Sequence, residues 1–109
     1  MRKAEIKMKE ITAGWLVQDD KGYSFVYDDA YLQRDNAEAV SLTLPLRERH
    51  YISSTLFSFF DGLIPEGWLL DIAEKNWKLN SRDRMGLLLS CCRDCIGAVS
   101  VHPVKEEEL

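Results

Sequence analysis

The sequence predicts a domain of the α+β class, in which a small antiparallel sheet comes first and about three to four helices follow. The first third of the chain alternates apolar and polar residues with the period of two that is typical of half-buried strands. Later segments place apolar residues at helical spacing. Residues 97–101 return to a strand pattern. Because a lone terminal strand needs a hydrogen-bonding partner, we expect this strand to rejoin the sheet.

Length and composition are those of one ordinary globular domain. The chain has 109 residues, of which 46% are hydrophobic and 29% charged, and this is enough to bury a modest core. We expect residues 1–104 to form a single domain and the acidic tail 105–109 to fray. No apolar run is long enough to cross a bilayer, and the N-terminus lacks the apolar region of a signal peptide. These features predict a cytoplasmic protein with no membrane partner.

Charge and site chemistry argue against several functions. The net charge of −4 predicts no direct binding of nucleic acid, because an acidic domain repels the phosphate backbone. Cys92 and Cys95 have zinc-like spacing, but with Cys91 they form an odd cluster without a clear fourth ligand, so buried thiols are predicted rather than a metal site or a disulfide framework. His50 and His102 have no nucleophile beside them. No catalytic residue, metal or cofactor is predicted.

The predicted elements of the first half follow from apolar alternation and turn residues. They are a strand over Glu5–Thr12 ended by Gly14, a second strand begun at Trp15–Val17, a turn at Asp19–Gly22, a third strand over Tyr23–Tyr27, and a short helix over 30–34 capped by Asp28–Asp29. Four aromatic residues of these strands are expected in the core of the sheet. They are Trp15, Tyr23, Phe25 and Tyr27.

The second half is predicted to be mostly helical. Its elements are an extended stretch over Val40–Leu46, a helix capped by Ser53 or Ser54 and ended by Gly62, a helix from about Trp68 to Trp77, a helix capped by Asn80–Ser81 that runs through Leu89, and the closing strand at 97–101. Three phenylalanines are expected to pack beneath the helices. They are Phe57, Phe59 and Phe60.

Five phrases occur along the chain in a fixed order. They are Gly14–Leu16 (GWL), Phe25–Tyr27 (FVY), Val40–Leu46 (VSLTLPL), Phe59–Gly67 (FFDGLIPEG) and Arg93–Val99 (RDCIGAV). In this order they resemble the N-terminal domain of HipA-type serine/threonine kinases over nearly the whole chain. The chain departs from that pattern at Cys92, where the family usually has glycine, and after Gly67, where a basic residue is common.

The resemblance implies a setting in a toxin–antitoxin system. HipA-type kinases are toxins that a small helix-turn-helix DNA-binding protein restrains, and in three-component modules the N-terminal domain is encoded separately as a small subunit. This sequence contains none of the kinase's phosphate-binding or catalytic motifs. We therefore expect a separately encoded antitoxin that neutralises a HipA-like kinase toxin by direct contact and can share a complex with the DNA-binding protein. The alternative is an obligatory subunit that completes or activates a split kinase.

The predicted partner-binding residues form one continuous turn. They are Leu63, Ile64, Pro65, Glu66, Gly67 and Trp68. On a helical wheel the apolar face of the following helix does not need Trp68, and tryptophan is enriched at the energetic centres of interfaces. We expect Trp68 to insert at or near the nucleotide site of the kinase. Two alternatives stay open: Trp68 covers the Phe59–Phe60 cluster instead, and Glu66 serves the helix dipole.

Overall fold

A computed structural model describes residues 2–64, 83–91 and 98–104 of the chain. Within these ranges the chain forms five strands and three helices, which confirms the predicted α+β class. The strands are β1 (Arg2–Met8), β2 (Ile11–Asp19), β3 (Gly22–Tyr27), β4 (Tyr51–Ser53) and β5 (Val99–Val104). The helices are α1 (Asp29–Leu32), α2 (Ser58–Asp61) and α3 (Arg84–Cys91).

The five strands form one antiparallel sheet in the order β4-β3-β2-β1-β5. The first three strands are the expected meander. The closing strand does return to the sheet, where β5 pairs with β1 and places Val101 opposite Ile6 and Val99 opposite Met8. The two ends of the described chain therefore lie side by side at one edge of the sheet.

One face of the sheet carries the hydrophobic core, as the period of two requires. Ile6, Leu16 and Phe25 lie on this face and are fully buried. The helices cover it with buried apolar side chains, namely Phe60 from α2 and Met85, Leu87 and Leu88 from α3. Phe57 and Phe59 pack against this cluster as partly buried residues, so the prediction for the three phenylalanines is confirmed.

The prediction that Trp15 belongs to the core is wrong. Because its neighbour Leu16 faces the core, Trp15 points to the opposite face of the sheet. There its ring is half-buried, with the ammonium group of Lys3 at 4.8 Å from the ring centroid. Phe25 and Tyr27 are buried as expected, and Tyr23 packs against the core while partly exposed.

The first hairpin turn lies at Lys9 and Glu10, so the prediction of an unbroken strand over Glu5–Thr12 is wrong. Both residues have positive φ, at 52° and 69°, as the two central positions of the tightest hairpin turns demand. Asn and Gly usually occupy such positions. Lys9 and Glu10 are not typical turn residues, and the alternation of apolar and polar residues continues across them. The sequence therefore does not indicate a turn here.

Gly14 lies inside β2 and does not end a strand. A β-carbon at this position would collide with the carbonyl oxygen of Val26 and would lie 3.0 Å from two ring carbons of Phe25. Glycine therefore permits close packing of the Phe25 ring over the backbone of the neighbouring strand. The phrase that begins at Gly14 marks a packing requirement of the sheet.

The prediction of an extended stretch over Val40–Leu46 is wrong. Ser41 and Leu44 form an isolated bridge across a tight turn, in which the Leu44 amide donates to the Ser41 carbonyl at 3.1 Å. The fourth strand is instead Tyr51–Ser53. The alternating leucines have the sequence pattern of a strand, but the Leu44 amide bonds within the turn and not to a neighbouring strand.

The predicted start of the next helix is also wrong. Ser53 belongs to β4, and α2 begins only at Ser58, after Phe57, which makes no side-chain capping bond. Gly62 ends this helix, as expected. The N-terminal helix is confirmed in a shorter form, with Asp28 accepting from the Tyr31 amide at 3.3 Å. The predicted helix over 68–77, the Asn80–Ser81 cap and the tail 105–109 lie outside the described residues.

A bidentate ion pair connects α3 to β1. Arg2 Nη2 lies 2.6 Å from Asp83 Oδ1, and Arg2 Nη1 lies 3.0 Å from Asp83 Oδ2. Asp83 Oδ1 also accepts from the Gly86 amide at 3.1 Å, as a capping residue does. The hydrogen bond from Arg2 is the main reason why the pKa of Asp83 lies below its ordinary value of 3.8. One carboxylate thus begins the helix and fixes it to the sheet.

Replacing Gly14 by alanine should lower the free energy of unfolding by about 1–3 kcal/mol, the usual cost of overpacking. Chemical denaturation of the two proteins would measure the difference. Gly62→Ala is the matched control, because Gly62 has an ordinary helical φ of −68° and its nearest obstacle is the Ser58 carbonyl at 3.3 Å. Equal losses in the two variants would contradict the packing role of Gly14.

Asp83→Asn should destabilise the fold by about 1 kcal/mol at neutral pH, since it weakens both the ion pair and the cap of α3. A carboxyl with a lowered pKa stabilises the fold above its ordinary pKa of 3.8, and this contribution is lost as pH falls through the folded-state pKa. The difference between variant and wild type should therefore shrink in acid, as followed by denaturation at several pH values. Glu38→Gln, which removes an exposed pair with Lys9 at 3.5 Å, should change stability by only a few tenths of a kcal/mol.

Candidate partner-binding surface

The predicted partner-binding turn is described only at its beginning. Leu63 and Ile64 lie within the described residues, whereas Pro65, Glu66, Gly67 and Trp68 lie outside them. Ile64 is buried in the core, at 5% exposure, and Leu63 packs against the core while partly exposed. The chain therefore enters the turn from a point that the core holds fixed.

The end of α2 sets the direction in which the chain leaves the helix. The amide of Leu63 donates to the Phe60 carbonyl at 3.1 Å, and that of Ile64 donates to the Asp61 carbonyl at 3.2 Å. The carboxylate of Asp61 accepts from Arg84 Nε at 2.5 Å, which links α2 to α3. Backbone turns and one ion pair thus hold the start of the predicted turn against both helices.

Two open pockets border α2. One has a volume of about 440 Å³ and is lined by Thr55, Leu56, Ser58, Asp61, Gly62 and Arg84. The other has a volume of about 250 Å³ and is lined by Thr43, Leu44, Ser53, Thr55, Leu56, Phe57 and Ser58. Since three residues line both pockets, they form one continuous surface, which we call the α2 groove. The groove joins the Ser41–Leu44 turn to the end of α2.

The charged groups that line the groove are paired with each other. Among the described lining residues, the one carboxylate, on Asp61, is paired with the one guanidinium, on Arg84. Over residues 2–64, 83–91 and 98–104, no three His, Cys, Asp or Glu side chains are placed to hold a metal ion. The Cys92-x-x-Cys95 segment lies outside these ranges. The described part of the groove is therefore suited to contact through hydroxyl and apolar groups.

The Ser41–Leu44 turn is held by a tyrosine of the core. The Tyr27 hydroxyl accepts from the Val40 amide at 3.0 Å and donates to the Leu44 carbonyl. Burial raises the pKa of Tyr27 to about 12, so the hydroxyl stays protonated and able to donate at neutral pH. Both ends of the turn are thereby attached to β3.

The sequence pattern did not reveal which residues this turn exposes. Leu42, at its tip, is 100% exposed, and Ile52 on β4 is 83% exposed. The extended stretch predicted here would have placed Leu42, Leu44 and Leu46 together on one face. The Ser-x-Thr spacing and the proline at position 45 are the local signals of a turn, because hydroxyl side chains bond to nearby backbone amides. Here the Thr43 amide does donate to Ser41 Oγ, at 3.2 Å.

Comparison with known protein families identifies the family that shares this architecture. The model of the family described as HipA N-terminal domain matches residues 4–102. The chain belongs to the HipA N-terminal domain family. Among solved structures, the N-terminal domain of HipA toxin matches with a TM-score of 0.77 and 24% identity, over 97% of this chain and 95% of that one. The family resemblance seen in the sequence is thus confirmed, together with the fold.

A relative from Haemophilus influenzae strain Rd, an uncharacterised protein, is 30% identical over 93 residues. The match covers 85% of this chain and 84% of the relative, so the relative is also about the size of a single domain. The family model and the solved structure both concern a HipA N-terminal domain. In the described part of the chain, no helix is long and apolar enough to span a membrane.

Tyr27→Phe should lower the free energy of unfolding by about 1–3 kcal/mol, because it leaves the Val40 amide and the Leu44 carbonyl buried without their partner. Tyr51→Phe is the matched control: its hydroxyl donates to the Pro45 carbonyl at 2.6 Å in an exposed setting, where water can replace it. Chemical denaturation compares the two. A Tyr27 variant no less stable than the Tyr51 variant would show that the turn does not depend on this hydroxyl.

Proposed function

We propose that this chain is a non-catalytic antitoxin that binds a HipA-like serine/threonine kinase directly and neutralises it. The observation that carries the proposal is the family match, which spans residues 4–102 and concerns only the N-terminal domain. The Haemophilus influenzae relative supports it, because a second protein of single-domain size shares this sequence over most of its length. In this proposal the domain neutralises the kinase by contact.

In this proposal the turn from Leu63 to Trp68 is the principal contact. Ile64 would anchor the turn, because its side chain is buried in the core. Trp68 would supply the energy of binding, since an indole buries a large rigid surface and keeps one N–H group for a partner. Inserted at or near the nucleotide site of the kinase, it would exclude ATP without any chemical step. The complex would form in the cytoplasm.

The proposal includes a place for a third component. A helix-turn-helix DNA-binding protein would join the chain and the kinase in a ternary complex and would supply the contact with DNA. The net charge of −4 on this chain supports that division of roles, because an acidic surface does not attract the phosphate backbone.

A second candidate function is that of a subunit that completes or activates a split kinase. The observation that favours it is that the matched structure is itself a domain of HipA toxin. Co-expression distinguishes the two functions. Growth restored to cells that carry the toxic kinase indicates an antitoxin, whereas phosphorylation that appears only when both chains are present indicates a completing subunit.

Trp68→Ala should abolish neutralisation, with a loss of affinity for the kinase of roughly 30-fold or more, as for a tryptophan at the centre of an interface. The measurements are growth rescue on co-expression and binding of the purified kinase by calorimetry. Trp15→Ala is the matched control, because Trp15 lies on the sheet face opposite the core, beside Lys3. It should neutralise as wild type does.

Circular dichroism of both variants establishes that they fold. A folded Trp68→Ala protein that still neutralises the kinase would reject the insertion of Trp68. It would leave the antitoxin function itself standing, because growth rescue by the wild-type chain tests that function separately.

A further inference from the structure

Leu42 is a large apolar side chain at a position where the fold gives it no contact. It lies at the tip of the Ser41–Leu44 turn and is 100% exposed. Tips of turns normally carry Gly, Asn, Asp, Ser or Pro, for reasons of backbone geometry and local hydrogen bonding. A serine at position 42 would serve the turn equally well, so the folded domain does not account for leucine there.

The turn holds Leu42 in one position. Val40 and Leu44 on either side are buried, and the Tyr27 hydroxyl bonds to the backbone of both. The Ser41 and Thr43 hydroxyls lie 2.9 Å apart across the turn. Because these bonds fix the backbone of the turn, Leu42 loses little main-chain freedom on binding, which lowers the entropic cost of a complex.

Unpaired positive charge follows the turn. Arg47 lies over the ring of Tyr51, at 3.6 Å from its centroid, and donates to the carbonyls of Arg49 and His50 at 3.2 and 3.0 Å. Among the described residues neither Arg47 nor Arg49 forms a salt bridge. The stretch 40–60 contains these two arginines and one acidic residue, Glu48, so its formal charge is +1, whereas the chain as a whole carries −4.

The turn also lies on the surface that leads to the predicted partner-binding residues. Thr43 and Leu44 line one pocket of the α2 groove, and the other pocket ends at Asp61 and Gly62, just before Leu63. A partner that covers the groove therefore lies close to Leu42 and to the start of the predicted partner-binding turn at Leu63.

We propose that the Ser41–Leu44 turn is a second docking element, which inserts Leu42 into an apolar pocket bordered by carboxylates on the partner kinase. This inference rests on the proposed function for the identity of the partner. The exposed leucine requires the apolar pocket, and the guanidinium groups of Arg47 and Arg49 favour carboxylates at its border.

The test is binding of the purified partner kinase to Leu42→Asp, measured by calorimetry or surface plasmon resonance. We expect a loss of affinity of at least roughly tenfold, mostly through faster dissociation, with an unchanged thermal unfolding midpoint because the side chain makes no contact in the free domain.

Arg49→Glu should weaken binding more at low salt than at high salt. Ile52→Asp is the matched control, since Ile52 is also exposed, at 83%, but lies on β4; it should bind within about twofold of wild type.

Each result separates this inference from the proposed function. Wild-type affinity of Leu42→Asp for a kinase that the wild-type chain binds would overturn the docking role of the turn and leave the proposed function intact. Absence of any kinase binding by the wild-type chain would overturn both. Sedimentation that shows a wild-type dimer dissociated by Leu42→Asp would also overturn the inference, because a second copy would then occupy the turn.

Discussion

The hydroxyl of Tyr27 joins the two parts of this domain. The ring lies in the core, with the Phe25 ring at 4.9 Å and the Tyr31 ring stacked at 6.2 Å. The oxygen bonds to the backbone of Val40 and Leu44. The loop between β3 and β4 is therefore not an independent surface segment, because its conformation is set from inside the sheet. Without this bond two buried backbone groups would lack partners, a cost that favours this one loop conformation.

Because the core and the described helices cover only one face of the sheet, the position of a contact surface is restricted. The described helices and the core occupy one face, and the opposite face carries Lys3, Trp15 and Ile52 among its residues. The groove arises at the β4 side of the sheet, where the loop, the short edge strand and α2 meet. An edge strand of three residues offers little backbone for pairing with another chain. In the proposed complex, recognition at this edge would therefore depend on side chains such as Leu42.

Sequence reasoning succeeded where a single local signal decided the outcome. The alternation of apolar and polar residues correctly predicted the meander and the return strand, and Gly62 correctly predicted the end of α2. It failed where the decisive contact is distant in sequence. No residue near Val40 reveals that Tyr27 will bond to it, and the close packing at Gly14 depends on Phe25 of the next strand. The exposure of Leu42 was missed for the same reason, since the predicted extended stretch did not include the turn that Tyr27 holds. The family phrases, in contrast, identified the family correctly.

In the proposed complex, two contact elements explain how this domain would inhibit the kinase by contact alone. A single inserted tryptophan fixes one point and leaves rotation about it free. Leu42, on a turn whose backbone is fixed, would fix the orientation, and the second contact would form within an existing complex, at a high effective concentration. Each element then gains affinity from the other although they are separated by about twenty residues of sequence. The fold connects them, because the core holds the loop through Tyr27 and the start of the turn through Ile64.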